Sequence, residues 1–72
     1  MKASQYDTTL KRIAENIRSK RKEKKLTIQE LAYRCDMERS NMSRIESGKV
    51  NVTIKTLCTI ATALEIKIED LI

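Results

Sequence analysis

Histidine, proline, tryptophan and phenylalanine are absent from this 72-residue chain, glycine occurs once and cysteine twice. Each absence excludes something. Without histidine, acid-base or nucleophilic catalysis and a zinc site would both have to rest on cysteine and carboxylates alone. No Ser, Cys or carboxylate stands beside a base in a catalytic pattern and there is no Gly-rich loop, so the chain reads as a non-enzyme. Neither a cofactor, a metal nor a small-molecule ligand is implied. With one glycine, Gly48, and no proline, the punctuation of β-hairpins is missing, which argues against an all-β fold. Aromatics are 3% of the chain, Tyr6 and Tyr33. The core must therefore be built from Leu, Ile, Val, Met and Ala, which suits packed helices. No apolar run approaches the roughly 18 residues of a membrane span and no signal-peptide core is present, so a cytoplasmic location is expected, at the nucleoid if the chain binds DNA. Cys35 and Cys58 are too few for a disulfide framework and are expected to be small buried thiols.

What is present is charge, unevenly placed. Residues 1–49 hold 13 Lys or Arg and 7 Asp or Glu, a balance of +6, whereas residues 50–72 hold 2 and 3, a balance of −1. The densest run is RSKRKEKK, residues 18–25. A local basic surface suits a polyanion, and a solvated charged helix accounts for the same run.

The chain reads as a polar lead-in over residues 1–9 followed by one domain over 10–72. Leu10, Ile13, Ala14 and Ile17 recur at helical spacing, which predicts a first helix from about Thr8 to Lys24. Thr27 with Glu30 has the form of a capping box, Leu26 and Leu31 of a hydrophobic staple, and Thr53 and Glu38 stand at two further starts. Helices 2, 3 and 4 are thus expected to begin near residues 28, 39 and 54. Helix 2 turns Ile28, Leu31, Ala32 and Cys35 inward, and Asp36 tolerates the left-handed turn that follows. Helix 3 has only Met42 and Ile45 as clear core residues before Gly48 ends it. Helix 4, with Ile54, Leu57, Cys58, Ile60, Ala61 and Leu64, is expected to be the central buried helix, and residues 65–72 a linker with a final helical turn.

Two short helices joined by a tight turn, the second with a polar outer face, are what reading a major groove about 12 Å wide requires. Arg39, Ser40, Ser43 and Arg44 lie opposite Met42 and Ile45, and arginine can donate two parallel bonds to guanine O6 and N7. A merely solvated face has the same pattern.

The run LTIQELAYRCDMERSNMSRIESGKVNVTIKTLCTIATALEIKIEDL resembles the Cro and phage-repressor-like helix-turn-helix family, also called XRE, over about residues 10–71, and among its members the controller proteins of restriction-modification systems. The resemblance implies an all-α, compact five-helix bundle of the lambda-repressor-like type, with helices 2 and 3 as the helix-turn-helix. It implies a homodimeric transcriptional regulator that binds double-stranded operator DNA, an inverted repeat, with the helix near residues 38–47 in the major groove. Bases are then read by Arg39, Ser40, Ser43 and Arg44, and phosphates are held by Thr27, Gln29, Asn41, Ser47, Lys49 and Asn51. Arg21 and Glu46 form a structural ion pair. Dimer contacts are expected at Ile66, Ile68, Leu71 and Ile72, which could equally seal the domain's own core. Three positions depart from the pattern: Ile28 replaces a phosphate-binding glutamine, Asp36 the turn glycine and Glu38 the serine cap. The Glu38 carboxylate would repel phosphates, and could accept from a cytosine amino group or cap the helix. An antitoxin-type module that binds a partner protein and autoregulates its operon is the alternative function.

Overall fold

The computed structural model describes residues 4–72. Four α-helices, α1 (Gln5–Glu23), α2 (Ile28–Arg34), α3 (Arg39–Glu46) and α4 (Ile54–Ala63), are followed by a single 3-10 turn, Ile68–Asp70. The described residues are thus all-α, with four helices where five were expected. The fifth amounts to one turn because only three residues lie between Lys67 and Leu71.

Helix starts follow the cap chemistry. Thr27 Oγ1 accepts from the Glu30 N–H at 3.0 Å while the Glu30 carboxylate accepts from the Thr27 N–H at 2.8 Å. Those hydrogen bonds, the backbone one first, hold the Glu30 carboxyl below the ordinary glutamate range. Thr53 Oγ1 accepts from the Thr56 N–H at 3.1 Å. Helix α1 begins earlier than expected, at Gln5, because Ser4 Oγ accepts from the Asp7 N–H at 3.0 Å. Of the expected lead-in, residues 1–3 lie outside the described residues and Gln5 to Thr9 are helical.

All four helices end in the same way. Lys25, Asp36, Gly48 and Glu65 take φ of 59°, 55°, 73° and 59°. The following N–H of Leu26, Met37, Lys49 and Ile66 bonds back to the carbonyl of Arg21, Ala32, Arg44 and Ala61, at 3.1, 2.9, 3.4 and 3.0 Å. This is the Schellman arrangement, and only one of the four left-handed positions carries the residue best suited to it. A Cβ on Gly48 would lie 3.5 Å from the Lys11 Cα, in ordinary contact, so the backbone angle and not crowding favours glycine there.

Ile17, Leu31, Met42, Ile60, Leu64 and Leu71 are the large side chains sealed inside. The core therefore draws on every helix and on the C-terminal turn, and Asn16 Nδ2 fastens that turn by donating to the Leu71 carbonyl at 3.1 Å. Two expectations about helix α4 need correction. Cys58 is exposed and Ile54 is 66% exposed, so its apolar face is narrower than its composition suggests, because no element among the described residues covers that flank. Ile28 is likewise only half-buried, whereas Cys35 is buried, and desolvation pushes its thiol up. No helix among the described residues is long and apolar enough to cross a membrane.

Candidate nucleic-acid interface

Helix α3 is divided lengthwise. Met42, Ile45 and Glu46 are buried, at 0%, 4% and 3% exposure. Ser40, Ser43, Arg44 and Ser47 recur at i, i+3, i+4, i+7 and so form one row along the outer side. Ser40, Arg44 and Ser47 are exposed and Ser43 half-buried, while Arg39 and Asn41 are exposed in the first turn. The four expected base-reading residues, Arg39, Ser40, Ser43 and Arg44, thus lie on one accessible helix whose inner side is anchored.

The anchor at the far end is ionic. Arg21 Nε donates to Glu46 Oε2 at 2.8 Å, with the two side chains 9% and 4% exposed. The same guanidinium donates through Nη1 to the Leu26 carbonyl at 2.7 Å, and Arg18 Nη1 donates to the Glu46 carbonyl at 3.3 Å. Helix α1 therefore clasps α3 at its C-terminal end twice, once through the side chain of Glu46 and once through its backbone. Glu46 Oε1 is buried without a hydrogen-bond partner, and the carboxylate depends on Arg21 alone for compensation. Removing one member of such a pair leaves an unpaired buried charge, at a cost of roughly 3–5 kcal/mol.

The opposite end is open. Glu38, exposed, is the N-cap of α3 and makes no side-chain hydrogen bond to it. Of the two roles left open for this carboxylate, capping is not the one it performs here, and it stays free beside Arg39.

The expected phosphate-binding residues divide by how their donors are used. Thr27 Oγ1 accepts a bond in the capping box, which leaves its O–H free to donate; Gln29, Asn41, Lys49 and Asn51 are exposed. Ser47 differs: its Oγ donates to the Arg44 carbonyl at 2.7 Å, so a phosphate would have to displace that bond. Of the residues expected either at a dimer surface or sealing the domain's own core, Leu71 takes the second place, wholly buried because the 3-10 turn folds it inward. Ile66 and Ile68 are half-buried against the core, and Ile72 is 51% exposed. Ile72 lines a shallow apolar groove with Tyr6, Ile13, Val52, Ile54 and Leu57. Sequence patterns did not single out Arg18 or Asn16 as anchors, since a side chain that bonds a distant carbonyl leaves no periodic trace.

The family profile of the Cro/C1-type helix-turn-helix DNA-binding domain matches residues 16–72. Among solved structures the chain is similar to the restriction-modification controller protein C.AhdI from Aeromonas hydrophila, with 29% identity and a TM-score of 0.86 over 90% of this chain and 98% of that one. The clp gene regulator ClgR from C. glutamicum superposes with a TM-score of 0.85 at 25% identity, covering 88% and 81%. The wild-type restriction-modification controller protein C.Esp1396I has 36% identity and a TM-score of 0.79, covering 82% and 77%. No curated protein matches the chain significantly.

Proposed function

The chain belongs to the Cro/C1-type helix-turn-helix DNA-binding family, and on that premise we propose that it is a cytoplasmic, homodimeric transcriptional regulator that reads operator DNA with α3 in the major groove. The single observation carrying this reading is the division of α3 into a buried side and an outer row of exposed Ser40, Arg44 and Ser47 with half-buried Ser43, headed by exposed Arg39. Arg39 and Arg44 donate paired bonds to guanine, and Ser40 and Ser43 add single bonds to base edges. The free Glu38 carboxylate, an acceptor only, takes the amino group of a cytosine. Thr27, Gln29, Asn41, Lys49 and Asn51 fix the register by holding phosphates, which carry affinity without sequence information.

One such domain touches few base pairs, and two-fold pairing sets two recognition helices about 34 Å apart on one face of the duplex. The domain measures 37 × 24 × 21 Å, which is compatible with that spacing for two copies side by side. Among the described residues, three of the four exposed large apolar side chains, Tyr6, Ile54 and Ile72, line one groove, and this is the surface we assign to pairing. The similarity in size and fold to the restriction-modification controller proteins C.AhdI and C.Esp1396I supports the reading. Selection of bound duplexes from a random pool tests it: an inverted repeat with half-sites about one turn apart is expected, and a pool that stays unenriched overturns it.

A further inference from the structure

The row on α3 and the Arg21–Glu46 pair leave most cations of α1 unexplained, and three of them share one flank. Lys11, Arg18 and Lys22 are spaced i, i+7, i+11, which a 3.6-residue repeat puts within about 40° of one another. This flank meets the end of α3. The Lys11 backbone lies against Gly48, and Arg18 holds the Glu46 carbonyl. Asp7 and Glu15 offset the flank's N-terminal part, so its surplus charge falls at Arg18 and Lys22, with Lys49 following Gly48 directly. All three are exposed, and among the described residues none is in an ion pair.

A recognition helix presents its carbonyl end with a partial negative charge, which repels a nearby phosphate unless cations cover it. Arg18 covers it by direct bonding. With one donor committed to Glu46, the rest of its planar fork is oriented before any ligand arrives, which suits phosphate oxygens better than a freely rotating side chain. Lys22 stands one turn further along the same flank. We infer that Arg18 and Lys22, together with Lys49, grip the sugar-phosphate backbone beside the groove that α3 occupies, and that Arg18 thereby couples a phosphate to the seating of the recognition helix. The inference rests on α3 being the groove-binding helix, but assigns to the duplex a surface outside the helix-turn-helix itself.

Duplex binding measured over a range of salt tests it, with the wild type, Arg18→Ala/Lys22→Ala, Lys22→Ala alone, and Lys20→Ala/Lys67→Ala as a control of equal charge change away from the flank. The flank pair is expected to lose about tenfold or more in affinity, alike on selected and random duplexes, and its log-log salt slope to fall by about 1.8 per domain, two phosphates' worth. Lys22→Ala, which breaks no bond within the fold, is expected to lower the slope by about 0.9 and so reads the contact without disturbing α3. The control pair is expected to keep the wild-type slope. Should the control lose as much as the flank pair, or both flank variants keep the wild-type slope, the flank is no phosphate site while the reading of α3 stands. A wild type that binds no duplex removes both.

Discussion

The two ends of α3 are built by opposite means. At its C-terminal end Glu46 is buried against Arg21 at 2.8 Å, Arg18 holds its carbonyl and Gly48 closes a left-handed turn. At its N-terminal end Glu38 makes no cap, and Arg39, Ser40 and Asn41 are exposed. The scaffold spends its strongest interactions on the end that must be held, and leaves the other with donors and acceptors unengaged. A reading helix needs this asymmetry, because a group satisfied within the protein contributes little to a base edge.

The largest expected effect comes from breaking the fixed end. Glu46→Ala strands the Arg21 guanidinium in a nearly dry site and is expected to cost about 3–5 kcal/mol, a large share of the roughly 5–15 kcal/mol of a small domain. Denaturant unfolding reads it, and a loss under about 1 kcal/mol would mean that the clasp is not what holds α3. Strengthening the open end is expected to do the reverse. Glu38→Ser supplies the missing cap and is expected to stabilise by about 1 kcal/mol, while relaxing base preference at one position of a selected site; unchanged preference would show that Glu38 reads nothing.

Smaller effects separate the helix endings from both. Lys25→Gly and Glu65→Gly relieve left-handed backbone in turns that Gly48 already makes with glycine, and each is expected to stabilise by about 0.5–1 kcal/mol in thermal unfolding; destabilisation would show that the side chains hold those turns. The smallest effect belongs to the capping box of α2. Its Glu30 carboxyl is depressed by bonds from Thr27, so its contribution is present above the ordinary glutamate range and is lost as pH falls through the lowered value. Glu30→Gln is therefore expected to flatten the acid limb of stability slightly, and an unaltered limb would mean that the box adds nothing there.

Much of this organisation was legible in the residues. Starts at Ile28 and Ile54 follow from their threonine caps, the start at Arg39 stands where it was expected although Glu38 forms no cap, and the inward Met42 and Ile45 follow from spacing. The start of α1 was not, because apolar periodicity begins only at Leu10 and the preceding turns are exposed; the Ser4 and Asp7 cap was the signal that could have marked it. Left-handed φ at Lys25 and Glu65 is imposed by the Schellman bonds, and neither side chain advertises it. Ile54 and Cys58 were misplaced for one reason. Apolar character says that a residue can be buried, and which flank has a neighbour to bury it is decided by tertiary packing. The same limit applies to Arg18 of α1, whose bond to Glu46 of α3 joins residues far apart in the chain.

Whether the exposed row of α3 reads sequence is tested most directly by the affinities of Arg39→Ala and Arg44→Ala for a selected site and for random duplex, measured at one salt concentration. Each variant is expected to lose about 1–3 kcal/mol on the selected site, with a much smaller loss on random DNA. Equal losses on both duplexes would place these arginines on phosphates and contradict the account.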